Sequence, residues 1–442
     1  MSRSPVRQGR GARLGHGRLG DIAIDPDTDE SRPPAELLAQ LVREHRARLV
    51  GALARWSGDV QLAEDGFADA VERALVAWQI ETPRDPGAWI ITTARNRTRD
   101  ILMSSERTRT RELTDDVSHP TVEAGTGRED DSLALMLACA HPALDRSVHA
   151  PLILQTVMGA QTADIATAFA LPSATLAKRL VRAKQRLRAN RDSFEIPDAV
   201  APERVQSVLD AIYAAYSIEW LRVAPADAVD LVTEQAIHAS QLMLSALPDD
   251  HEVRGLAALL LYLHSRRETR ISEGMLVPTE QQNPAAWDRE LIAHAERLLR
   301  VGLSKGRTTS PGPYELQAAI QSAHAARPPG ADAPWDTIAH LYDALILTTP
   351  SKGASVARAV AIGRATDAAT GLRVLDDLRA ADATLDSFQP YHAARAGLLR
   401  ETLDGAAADI ALERAIALCT HTPSRRYLES LRKAQVENEN PR

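Results

Sequence analysis

Cysteine, aromatic residues and long apolar runs are all scarce in this chain, and each shortage closes off a class of protein. Of 442 residues only two are cysteine, Cys139 and Cys419, far apart in the sequence. That excludes a disulfide scaffold and a cysteine-paired zinc site, and it suits a reducing compartment. Aromatic residues make up 4%. Strands draw on aromatic and β-branched side chains, so this shortage beside abundant Ala and Leu points to helices. No apolar run approaches the ~20 residues a membrane helix needs, so no membrane is expected and the cytoplasm is the expected location. The first twenty residues hold five Arg and no acid, but no apolar core follows, so they do not read as a secretion signal. A phosphate-binding Gly-Lys-Ser/Thr loop, a nucleophile elbow and a zinc-protease helix are also missing. The chain reads as a non-enzyme without cofactor or metal.

What is present is a chain rich enough in apolar residues, at 44%, to build several helical cores. The net charge of −7 hides a split. Residues 1–191 hold 27 basic and 25 acidic side chains, a net of +2, while residues 192–442 hold 25 and 34, a net of −9. Nucleic acid therefore belongs with the first part. Residues 1–35 read as a disordered basic arm ended by Pro33-Pro34. Helical periodicity then runs over 36–111. Residues 112–131 hold seven acids against Arg128 alone, with two glycines, and read as an acidic linker. Residues 132–192 form a second helical module. From 203 to 435 amphipathic Ala/Leu helices succeed one another. Pro390–Pro423 reads as helix, Asp404-Gly405 turn, helix, with the 34-residue length of a tetratricopeptide unit. The fold class is all-α: two small helical modules followed by a repeat-like, solenoid-like helical extension.

The most informative stretch is Gln161–Arg188. Ala170-Leu171-Pro172 separates two helical runs, because proline cannot continue the first. Thr162 and Ser173 stand where N-caps are expected. In the second run Leu176, Leu180, Ala183 and Leu187 make one apolar stripe. Thr175, Lys178, Arg182 and Gln185 fall opposite, with Arg179 and Arg186 on the flank. From Ser173 to Arg191 there are seven basic residues and no acid. This is the layout of a helix-turn-helix whose second helix enters a major groove. Ser173, Thr175, Lys178, Arg179, Arg182 and Arg186 are its candidate DNA contacts.

With that element in place, the order of parts resembles a bacterial RNA polymerase sigma factor of the extracytoplasmic-function type. The resemblance is carried by QLAEDGFADAVERALVAW (Gln61–Trp78), DPGAWIITTARNRTRDIL (Asp85–Leu102) and the helix-turn-helix. Further segments, among them SFEIP (Ser193–Pro197), LPDDHEVRGLAALL (Leu247–Leu260) and PGPYELQAAI (Pro311–Ile320), are similar to the group with a long C-terminal tetratricopeptide-like extension. The resemblance implies that Asp65, Asp69 and Glu72 face the core RNA polymerase. It implies that Asn96, Arg97, Arg99 and Asp100 help open the minus-ten element, and that the helix-turn-helix reads the minus-thirty-five element. The expected partners are core RNA polymerase, promoter DNA and a possible protein partner of the extension. The extension is expected to regulate activity, and truncation after about Arg191 is expected to leave the helix-turn-helix folded. The alternative is a stand-alone helix-turn-helix regulator whose repeat domain senses a ligand or protein. His141, before Pro142 and near Cys139, has no second pair of ligands nearby and reads as a packed helix start, while His238, His251, His264, His294 and His324 lack metal-ligand spacing and read as surface or core histidines.

Overall fold

The computed structural model describes residues 33–109, 129–196, 199–221, 231–304, 310–328 and 330–439. The basic arm and most of the acidic linker lie outside the described residues. Eighteen α-helices are present among the described residues, which makes the fold all-α. Two compact units divide the chain. One holds Met1–His45 and Asp65–Gly127, the other Arg46–Glu64 and Arg128–Arg442. The division cuts through α1 (Pro34–Ser57) and α2 (Val60–Ala77).

In the first unit α2 packs on α3 (Pro86–Arg109). Asp85 starts α3 by accepting the Ala88 N–H at 2.8 Å, with proline at the first helical position, where its missing N–H costs nothing. Gly66 lets the two helices close up: a Cβ there would stand 2.4 Å from the Thr98 hydroxyl. Phe67, Ala70, Ala74, Ile90, Ile91 and Ala94 are buried. Trp78 and Trp89 meet edge to face at 5.7 Å and 72°.

The second unit begins with the corner where α1 meets α2. Asp59 caps α2 there by accepting the N–H groups of Gln61 and Leu62 at 2.9 and 3.3 Å. Next come α4 (Glu129–Cys139), α5 (Arg146–Thr156), α6 (Thr162–Ala168) and α7 (Ser173–Ala189). Helix α5 is enclosed: Val148, His149, Pro151, Leu152, Ile153, Leu154 and Thr156 are all buried. Its cover includes α8 (Pro202–Leu221), the first helix beyond the second module.

After α8 come α9 (Leu231–Ala246) and α10 (His251–Ser265), which is buried almost from end to end. A two-stranded antiparallel ribbon follows, β1 (Ile271–Ser272) with β2 (Met275–Leu276). The sequence reading holds no strand. The ribbon arises from Glu273-Gly274, whose φ of 50° and 74° match the tight hairpin turn with two left-handed residues. Helices α11 (Arg289–Ser304) and α12 (Pro313–Ala325) pack on α10. The remaining helices are α13 (Trp335–Thr348), α14 (Lys352–Ala365), α15 (Ala368–Ala381), α16 (Gln389–Glu401), α17 (Gly405–Leu418) and α18 (Thr422–Glu439). Each packs on the next, and α18 packs against β2. The α16–α17 turn falls at Asp404, which caps α17 by accepting the Ala407 N–H.

Candidate nucleic-acid interface

Helices α6 and α7 realise the helix-turn-helix. The turn passes through Ala170 in the left-handed region (φ 51°), a conformation that costs an alanine about 1–2 kcal/mol. The caps differ from expectation. Thr162 and Ser173 are the first helical residues, the preceding residues are Gln161 and Pro172, and neither supplies a side-chain cap. Thr162 instead accepts from Gln155 Nε2 at 2.9 Å, which ties α6 to α5. Proline before Ser173 holds the extended φ that chain entry into α7 requires, so a hydroxyl cap is not needed to set the turn.

The stripe of Leu176, Leu180, Ala183 and Leu187 is buried. Ser173, Thr175, Lys178, Arg182, Gln185 and Arg186 are exposed on the other side, and Arg179 is half-buried. Arg182 folds back along its own helix, Nε to the Lys178 carbonyl at 3.3 Å, so its guanidinium is still turned to solvent. Arg179 lies near Asp145, the residue that caps α5. The Ser147 hydroxyl and N–H, foremost, hold the Asp145 carboxyl below its ordinary value, with a smaller contribution from the Arg179 charge.

Two basic residues of α7 do something the sequence reading left unassigned. Lys184 is buried and pairs with Glu64, while Arg188 pairs with Asp59 at 3.2 Å. Glu64 also faces Arg46 at 3.8 Å. Asp59 thus caps α2 and anchors Arg188 at once. The signal was available: Lys184 falls between Ala183 and Leu187 on the apolar side, where a lone cation needs a partner.

In the first unit Asp65 and Glu72 are exposed on α2, and Asn96, Arg99 and Asp100 on α3. Asp69 and Arg97, read for different roles, form an ion pair at 3.3 Å, and Asp69 also holds Arg73 at 2.7 Å. Leu75, Val76 and Ile80 add exposed apolar surface at the end of α2.

Helix α8 grips the second module from outside. Arg204 donates from Nε and Nη2 to the Leu137 carbonyl at 2.9 and 2.6 Å, satisfying a group in the last turn of α4. Asp210 faces Arg146 at 4.0 Å and accepts from the Tyr314 hydroxyl at 2.8 Å. Tyr314 and Glu315 in turn give their N–H groups to Glu252 at 3.0 and 3.1 Å. His251, Glu252 and Glu315 therefore stand within 4.8 Å of one another, a grouping of metal-ligating types that sequence spacing did not show. Both Glu252 oxygens are occupied as the cap of α12, and burial pushes its carboxyl up. Cys139 and Cys419 are free and buried, and burial pushes the Cys139 thiol up, as befits packing rather than reactivity. His264 and His324 are core histidines, lowered to about 4 chiefly by burial.

Comparison with known proteins places these parts. Residues 41–108 match the sigma-70 region 2 model, so the module of α1 to α3 is sigma-factor-like. Residues 204–302 match a family of unknown function (DUF6596), which sits at the start of the extension. An uncharacterized protein of Rhizobium meliloti (strain 1021) is 33% identical over 395 residues, covering 87% of this chain and 92% of that protein. The chain belongs to the same family as that protein, and the kinship spans both modules and the extension together. No solved structure matches. No helix among the described residues is long and apolar enough to cross a membrane.

Proposed function

We propose that this protein is a non-enzymatic, cytoplasmic transcription initiation factor. It binds core RNA polymerase, directs it to a promoter through the helix-turn-helix and helps open the minus-ten element through α3. The extension regulates that activity, and the extracytoplasmic-function group with a tetratricopeptide-like extension is the closest description of the whole. The observation that carries the reading is the sigma-70 region 2 match followed by a second helix with an open basic face. A simple regulator has no use for two DNA modules, one of which presents acids on a neighbouring helix.

The roles follow from placement. Exposed Lys178, Arg182 and Arg186 can reach base edges or phosphates, while Thr175 and Ser173 lie at the end of α7 that leads into a groove. Exposed Asn96 and Arg99 can hold a strand whose bases have left the stack, a step costing a few kcal/mol. Asp65 and Glu72, beside Leu75, Val76 and Ile80, offer a mixed acidic and apolar surface for a basic patch on polymerase. The test is co-purification of the full chain with core RNA polymerase, followed by run-off transcription from a mapped promoter. Binding and promoter-dependent transcripts are expected. A chain that binds promoter DNA but never core polymerase is a stand-alone regulator instead.

A further inference from the structure

Two segments of the extension have no part in the DNA or polymerase contacts: LPDDHEVRGLAALL (Leu247–Leu260), which opens α10, and PGPYELQAAI (Pro311–Ile320), which opens α12. They are far apart in sequence and meet in space. Gly255 lets the two helices touch, since a Cβ there would stand 2.5 Å from the Glu315 backbone nitrogen. A Cβ on Gly312 would run into the Glu252 carboxylate, so that glycine leaves room for the side chain. This close joint gathers three metal-ligating side chains. One ligand atom each from His251, Glu252 and Glu315 lies within 4.8 Å of the others.

Glu252 and Glu315 are only 9% and 7% exposed. His251, half-buried beside them, forms no hydrogen bond or ion pair with either carboxylate among the described residues. Three ligand atoms held about 2.0–2.2 Å from one ion stand about 3–4 Å apart, so a small closing movement brings this group onto an ion. Glu252 is already aimed: its Oε2 accepts the Tyr314 N–H at 3.0 Å and its Oε1 the Glu315 N–H at 3.1 Å. A carboxylate oxygen has two acceptor sites, so one on each oxygen remains for a metal. Hydrogen bonds of this kind orient metal-ligating carboxylates. Burial pushes the Glu252 carboxyl up, the two N–H groups and His251 act against it, and the Glu315 charge adds to the rise.

Three charged neighbours are engaged elsewhere. Asp250 caps α10 by accepting the N–H groups of Glu252 and Val253 at 2.9 and 3.0 Å. Arg254 donates to the Pro248 and Asp249 carbonyls at 2.7 and 3.2 Å. Asp210 of α8 accepts from the Tyr314 hydroxyl at 2.8 Å.

We propose that His251, Glu252 and Glu315 bind a divalent metal ion of the zinc class, which joins the start of α10 to the start of α12. One nitrogen and two carboxylate donors suit zinc, whereas calcium and magnesium take sets of oxygen ligands. A divalent cation balances the charge of two buried carboxylates, which are costly to bury without a counter-charge. Tyr314, next to Glu315, holds Asp210 through its hydroxyl, so binding of the ion firms the joint on which α8 rests. Ligand spacing could not show the site in the sequence, because two of its members are adjacent and the third lies on another helix.

The test needs neither polymerase nor promoter, so its outcome is separate from the initiation role. The full chain, stripped of metal with a chelator, is titrated with zinc chloride by calorimetry, and its thermal melt is recorded with and without the metal. The expected result is one saturable zinc site that raises the melting temperature. His251→Ala, at a half-buried position, and Glu315→Gln, which keeps the shape of the side chain, are each expected to weaken that binding at least tenfold and to remove the melting shift. Circular dichroism of the metal-free variants checks their folding, and His251→Ala alone decides if Glu315→Gln does not fold. The control His340→Ala removes an exposed histidine of α13 and is expected to change nothing. Magnesium in large excess is expected to leave zinc in place. Absence of a saturable site, unchanged binding in His251→Ala or in a folded Glu315→Gln, equal loss in the control, or displacement by magnesium overturns the proposal.

Discussion

Helices α3 and α7 both carry a series of arginines and lysines, and they treat their charges in opposite ways. On α7 the cations are sorted by depth: Lys178, Arg182 and Arg186 stay in solvent, while Lys184 is buried against Glu64. On α3 the paired residue, Arg97, stays at the surface, and its partner Asp69 is shared with Arg73. The same ion-pair chemistry therefore holds very different energies. A surface pair in water is worth about 0–1 kcal/mol, whereas removing one member of a buried pair leaves a stranded charge. Charge on α7 is divided between solvent and the packed interior, while the paired charge on α3 stays at the surface.

The largest effect expected removes the support of α7 altogether. Truncation after Arg191 takes away α8, uncovers the enclosed α5 and removes the Arg204 donor from the Leu137 carbonyl. The truncated chain is expected to lose cooperative unfolding of α4 to α7, read by urea melts of circular dichroism. The sequence alone led to the opposite expectation, that truncation there leaves the helix-turn-helix folded, and the melts decide between the two. Next, Glu64→Ala is expected to destabilise the second unit by about 3–5 kcal/mol, because Lys184 is then buried without its counter-charge. Pairing Glu64→Leu with Lys184→Met is expected to recover most of that loss, measured in the same melts.

Third, the extension is expected to weaken in acid. His264 and His324 titrate near 4 in the folded chain and near 6.5 when unfolded. Between those values the unfolded chain binds more protons, so the stability is full above pH 6.5 and is lost as pH falls towards 4. The loss approaches about 3 kcal/mol for each histidine. Arg266 and Arg327 face His324, and Arg267 and Asp288 face His264, so a proton on His324 meets only like charge from these neighbours. Denaturation midpoints at pH 7.5 and 5.0 check this, and His324→Gln should flatten the slope.

Fourth, Lys178→Ala and Arg182→Ala are each expected to cost about 1–3 kcal/mol of promoter binding with no change in melting temperature, since both side chains are exposed. Gel-shift titrations on specific and scrambled DNA separate base reading from phosphate contact. Smallest of all, Arg97→Ala is expected to shift stability by less than about 1 kcal/mol. A loss as large as that of Glu64→Ala would erase the contrast between the two helices.

The helices and the face of α7 were legible because both follow from periodicity: leucines at 176, 180 and 187 define a side, and the rest of the helix follows. The break at Ala170 to Pro172 was legible for a similarly local reason. The cap of α7 was not, because the Ser173 hydroxyl competes with Pro172, which sets the same turn by ring geometry. Nor was the pairing of Lys184 with Glu64, since the two lie 120 residues apart and only tertiary packing joins them. The Asp69–Arg97 pair escaped for the same reason, although each residue was singled out. The packing of α8 on α5 was also hidden, because Pro202 reads as a linker in sequence and only tertiary contact joins the two helices.

That last joint has a consequence in time. Translation delivers the chain from its N-terminus at about 5–20 residues per second, so α8 follows α7 out of the ribosome by about two to six seconds. For that interval the apolar side of α5 has no cover from α8, and the nascent helix-turn-helix waits in an unfinished state. A helix-turn-helix whose core is covered in part by α8 is complete only once the start of the extension has been made, so its folding depends on chain beyond the module.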